Sequence, residues 1–152
     1  MAAKSKMEGT RNDGIPCLSV RQPWAELIAA GPKRIENRPW ATKYRGWLGI
    51  HAGKTYDAGA DDFYFQLAFG VDQSVDRSRM IFGAVIAVAR LVACIDYRAA
   101  TCDDWTANRF AWVVDDPWFD GPVAWVLDEV RRIEPVYCRG GLQLFYPAEF
   151  TS

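Results

Sequence analysis

The sequence predicts an α+β domain built on a small β-barrel with flanking helices. Three observations carry this. Strand-like segments outnumber helix-like ones. No regular alternation of strand and helix occurs, as a parallel α/β sheet would need. The chain has 152 residues, half of them hydrophobic and 24% charged, which suits one domain with a substantial core. No repeat and no linker divides it. The domain is read as residues 16–150, after a polar, aperiodic leader over residues 1–15 that is expected to be disordered.

The elements follow in order. Residues 17–20 are a short apolar strand candidate. Pro23 opens a helix, because its fixed φ suits the first turn and its missing N–H costs nothing there. Trp24, Leu27 and Ile28 fall at i, i+3 and i+4 and give that helix one apolar face. Gly31 supplies the cap and Pro32 forbids continuation. Residues 33–38 alternate as a strand, with Lys33, Ile35 and Asn37 on one face and Arg34, Glu36 and Arg38 on the other. In a regular strand Lys33 and Glu36 are therefore parted. They share a cleft only if Lys33 stands in the loop mouth or a bulge intervenes. Residues 47–52 form the next strand, with Leu48, Ile50 and Ala52 facing one way and Trp47, Gly49 and His51 the other. Residues 57–69 look helical, with Phe63 and Leu67 on one side and Gly70 as cap, and residues 74–79 are a polar loop. Residues 82–95 are strongly β-prone and long enough to run through a bent sheet. A short helix over 103–108 and a weak strand over 112–114 come next. Two Pro and a Gly make 115–122 a loop. Strands over 123–133 and 142–145 complete the set.

Composition excludes several classes. The longest apolar run, residues 81–89, is about half a membrane span. No apolar stretch follows Lys4 and Lys6, so no secretory signal is read and a cytoplasmic location is expected. Four cysteines without a C-x-x-C pair suggest free thiols. A single His excludes a multi-histidine metal site, and neither metal nor cofactor is expected.

The net charge of −1 hides a segregation. Residues 16–56 hold seven basic against two acidic residues, a net +5, while the rest of the chain is acidic. In that block the bases interleave with Trp24, Trp40, Tyr44 and Trp47, the ingredients of a surface for phosphates and bases. Incidental aromatics on a solvated face are the bland alternative.

Within this block the run Ser19, Gln22-Pro23-Trp24-Ala25, Gly31, Lys33, Glu36, Arg38, Tyr44-Arg45-Gly46 and Ile50-His51-Ala52 resembles the ASCH family. So does the ending from Gly121-Pro122-Val123-Ala124-Trp125 to Gly141-Leu142. The resemblance covers roughly residues 16–146. It implies a PUA-like β-barrel with a cleft between barrel and helix. It further implies binding of nucleic acid or of a flipped modified base, with RNA favoured over DNA, or of a nucleotide or nucleoside. Some small relatives are implied to hydrolyse the acetyl amide of N4-acetylcytidine, and others act as ribonucleases.

The residues carry these readings as follows. Arg21, Gln22 and the helix start offer an anion site. Trp24 can stack on a base or belong to the core. Glu36 can accept from an exocyclic amine, and Arg38 can hold a phosphate bidentately. His51, with Lys54 close behind, is either at the cleft rim or a satisfied strand residue, and Arg45 and Lys54 are read as contacts to phosphate or base. Lys33, crowded by Arg34 and Arg38, is biased toward losing its proton and is the candidate general base, with Glu36 as acid or amine contact. The acetylcytidine-hydrolysing relatives carry a Thr where this chain has Glu36, so a hydroxyl is missing there; Asp103 or Asp104 are weak stand-ins for their acid. Ser19 lacks the G-x-S-x-G setting of a nucleophile. Trp112, Trp118 and Trp125 are read as mostly core, with Trp118 able to lid the cleft. The first reading is thus a nucleic-acid-binding domain with a cleft for one base or nucleotide. A small hydrolase of a modified nucleoside, or a metal-independent ribonuclease, is the second. A protein-interaction domain docking through aromatics is the third.

Overall fold

The computed structural model describes residues 14–60, 62–70, 76–99 and 108–150. Five strands form one mixed sheet: β1 (Cys17–Gln22), β2 (Ile35–Arg38), β3 (Gly46–Tyr56), β4 (Ala84–Asp96) and β5 (Val123–Tyr137), in the spatial order β1-β3-β4-β5-β2. β1 runs parallel to β3, and the other neighbours are antiparallel. Helix α1 (Trp24–Ala29) follows β1, and α2 (Asp62–Phe69) follows β3. No described helix is long and apolar enough to cross a membrane.

The α+β class is the one expected, but the described strands do not close into a barrel. β1 and β2 are the two edges. Where closure would need a β1–β2 ladder, a side chain spans the gap instead: the Arg38 guanidinium of β2 donates to the Ser19 carbonyl of β1. Three register shifts between β4 and β5, and one between β3 and β4, bend these long strands. In one core Leu48, Ile50 and Ala52 meet Leu18, Ile28, Ile86, Leu91 and Trp125. A second lies around Ile35, Phe65, Phe110, Val113, Trp118 and Val126.

Several local expectations are corrected. Helix α2 starts at Asp62 and packs through Tyr64, Phe65 and Ala68, leaving Phe63 60% and Leu67 44% exposed. Residues expected as a strand at 112–114 form a 3-10 helix, Ala111–Asp115, closed by Val113 N–H to Phe110 O and Asp116 N–H to Val113 O. That turn buries Val113 completely, which an exposed strand there would not. The last predicted strand, 142–145, is reduced to one bridge between Phe145 and Cys17. Within the polar loop the backbone tightens into a 3-10 turn, Arg77–Arg79, capped by the Asp76 carboxylate. Cys17, Cys94 and Cys138 are free thiols. The leader up to residue 13, residues 103–107 of the helix expected over 103–108, and Cys102 lie outside the described residues.

Candidate nucleic-acid interface

Local sequence chemistry sets the cleft wall by wall. Gly31, at φ +108°, stops α1 in a conformation that favours glycine, and the chain turns back toward the sheet. Lys33 lies in this turn, ahead of β2, with its N–H bonded to Leu27 O. It therefore escapes the strand's alternation and meets Glu36. Lys33 Nζ is 3.1 Å from Glu36 Oε1 and also donates to the Ile35 carbonyl. Arg38 follows Glu36 by two residues on the same face, and its Nε lies 3.0 Å from Glu36 Oε2. That contact is electrostatic, since Nε is not aligned as a hydrogen-bond donor. Glu36 thus sits between two cations with about 10% of its side chain exposed. Of the two cations expected to crowd Lys33, Arg34 turns outward to Leu127 O and Asp128, while Arg38 shares the Glu36 carboxylate with it.

Three aromatic rings stand around this floor. Trp24 of α1 and Tyr64 of α2 pack edge to face at 4.9 Å, and Tyr64 lies tilted 5.7 Å from Trp118. The Trp24 indole donates to Asp57 at 2.8 Å. This bond, the Gly59 N–H and Arg21 hold the Asp57 carboxyl below its ordinary pKa. Asn37 fixes the remaining wall. Its amide nitrogen donates to Trp118 O, and its amide oxygen accepts from the N–H groups of Asp120 and Gly121. Together these surfaces enclose a cleft of about 440 Å³, lined by Ser19 and Arg21 of β1 as well.

The sequence-nominated residues divide accordingly. Arg21, Trp24, Lys33, Glu36 and Arg38 converge on the cleft. Gln22 is fully buried and does not face it: its oxygen accepts from Glu26 N–H and its nitrogen donates to Ile81 O. The oxygen satisfies one of the amides that an anion at the start of α1 would have used. Arg45 points to Thr42 O and Tyr44 O, away from the cleft. His51, 1% exposed, lies behind Ser19. Its Nε2–H donates to Cys138 O at 2.9 Å, leaving Nδ1 to accept the Ser19 hydroxyl at 2.9 Å. Gly141 N–H also reaches Ser19 Oγ, at 3.2 Å. Lys54 and His51 line a second hollow of about 370 Å³ on the far side of Ser19. Asn37 and Tyr64 were not singled out from sequence. Asn37 carries no charge or ring to draw notice, and Tyr64 reaches the cleft only through the placement of α2.

The fold and this site define a class: a small α+β domain whose cleft joins aromatic walls to a balanced ionic floor. The ASCH domain model matches residues 18–137, and the chain belongs to that family. Over 40 residues, 26% of the chain, it is 58% identical to activating signal cointegrator 1 of Homo sapiens and 55% identical to that of Mus musculus. Those matches span only 7% of the length of the curated relatives. Among solved structures it is similar to the ASCH protein of Zymomonas mobilis, with a TM-score of 0.48 and 16% identity over 88% of this chain and 87% of that one. A serine-to-alanine mutant of that protein gives 0.47 and 14%, over 88% of each chain.

Proposed function

We propose that this domain binds single-stranded nucleic acid, RNA in preference to DNA, by taking one base into the cleft. The observation that carries the reading is the pairing of Trp24, Tyr64 and Trp118 with a floor of Lys33, Glu36 and Arg38. Aromatic faces accept any base by stacking, and a charged donor–acceptor floor can read a base edge. Family membership supports it.

Turnover is supported less well. Lys33 is tied to Ile35 O and Glu36, so it is placed as a donor and not as a base facing open space. The test is fluorescence titration of the chain with a degenerate eight-nucleotide RNA at low salt. Saturable binding by the wild type, weakened in Tyr64→Ala by the ~1–3 kcal/mol of one stacking contact, is the expected result. No binding, or binding indifferent to Tyr64, overturns the reading.

A further inference from the structure

The cleft's cations are already spoken for. Arg21, Lys33 and Arg38 line it, against Glu36, Asp57 and Asp120. Three charges of each sign leave a neutral lining, suited to a neutral base and poorly suited to a phosphate. The second hollow differs. Its charged lining residues are Lys54 and Arg139, with no carboxylate. Both side chains are exposed, and neither has an ion-pair or hydrogen-bond partner among the described residues. Glu149 acts on the Cys138 thiol but does not line the hollow.

Ser19 lines both hollows, so they meet at one residue of an edge strand. The backbone carrying Arg139 is anchored on both sides. Before it, Cys138 O is held by His51. After it, Gly140 packs so closely that an added Cβ would fall 2.5 Å from Ser19 Oγ and 2.8 Å from His51 Cε1. The sequence-nominated residues His51 and Lys54 thus find a common context that the base cleft alone does not supply.

We propose that the second hollow is a phosphate-binding subsite continuous with the cleft, so that the ligand is a strand of two or more nucleotides and not a free nucleoside. The proposal rests on the base-binding reading above. The base enters the cleft lined by Trp24, Tyr64 and Trp118, the backbone passes Ser19, and the adjoining phosphates meet Lys54 and Arg139. Arg21, 61% exposed and paired with Asp57 at 3.7 Å, lines the cleft side, two residues from Ser19.

The test measures binding of the degenerate eight-nucleotide RNA across a salt series for the wild type and for a Lys54→Gln/Arg139→Gln double variant. Both residues are exposed and unpartnered among the described residues, so the variant keeps the fold; thermal unfolding verifies this. Each phosphate contact on a single strand contributes about 0.7 to the slope of log K on log salt, so the variant should lose about 1.4 of that slope. Its affinity for an equimolar mixture of the four ribonucleosides should equal that of the wild type. An unchanged slope, or an equal loss of nucleoside binding, overturns the proposal. If the wild type binds and Tyr64→Ala weakens it while the double variant keeps its slope, the base-binding reading stands and the subsite falls. If the wild type does not bind the RNA, both fall.

Discussion

Two polar systems flank Ser19, and they are built on opposite principles. On one side Lys33, Glu36 and Arg38 form a buried ionic triad open to a cleft. On the other, His51, Ser19, Cys138 O and Gly141 N–H form a clasp of hydrogen bonds that pins the C-terminal segment to β1 and β3. Ions held out of water carry a large desolvation cost, repaid only while every partner is present. A hydrogen-bonded clasp involves smaller terms, and close packing sets its tolerance instead. The comparison separates what the cleft needs for charge from what it needs for shape.

The sharpest way to break that contrast is Glu36→Gln. It leaves Lys33 and Arg38 facing each other with no carboxylate between them. Removal of one partner from a buried ion pair costs ~3–5 kcal/mol, so the urea midpoint should fall by far more than for any exposed pair. A loss below ~1 kcal/mol would place the triad with ordinary surface pairs such as Arg34–Asp128, which contribute ~0–1 kcal/mol.

On the clasp side, Gly140→Ala forces a methyl against Ser19 Oγ and the His51 ring, both of them held in place. Overpacking of this kind costs ~1–3 kcal/mol, again read by urea unfolding. Full tolerance would show that the clasp is slack.

Between the two lies Asn37→Ala, which removes three hydrogen bonds to the wall at Trp118, Asp120 and Gly121. At ~0.5–1.5 kcal/mol each, a loss of roughly 2 kcal/mol is expected. Hydrogen exchange should quicken at Gly121 N–H and stay unchanged at Gly141 N–H.

The smallest effect is electrostatic. Asp57 has a depressed pKa in the folded state, so its contribution is present above the ordinary carboxylate range and disappears as pH falls through the lowered value. Asp57→Asn should therefore destabilise the domain at neutral pH and match the wild type in strong acid. The gap should stay under ~1 kcal/mol, because water still reaches and screens this half-buried group. A gap that widens on acidification would reverse the assignment.

Much of the fold was legible in the sequence because short-range chemistry dictates it. Pro23 and Gly31 bracket α1, and the Leu48–Ile50–Ala52 alternation sets which face of β3 joins the main core, although the opposite face, with Trp47 and His51, is buried as well. The boundaries of β4 lie within two residues of expectation for the same reason. What failed was decided at long range. Whether β1 and β2 pair depends on the curl of the whole sheet, and nothing in either strand encodes that. The orientation of α2 depends on the cleft wall it meets, so Phe65 is buried where Phe63 and Leu67 were expected. The site followed the same division. Lys33, Glu36 and Arg38 could be nominated by type, but their convergence required Lys33 to stand outside β2. Gln22 and Arg45 were nominated by the same signals, yet their side chains are taken up by backbone groups.

The open seam between β1 and β2 bears on solubility as well as on recognition. An uncovered edge strand presents unpaired N–H and C=O groups to any passing chain, and proteins must shield such edges or aggregate through them. Here the start of β1 is shielded by Phe145, whose N–H and C=O both pair with Cys17. Further along, Ser19 O is taken by Arg38. The hollows lie beside the same edge, so substitutions at Arg38 or in residues 140–145 should be screened for self-association before any loss of binding is assigned to the cleft.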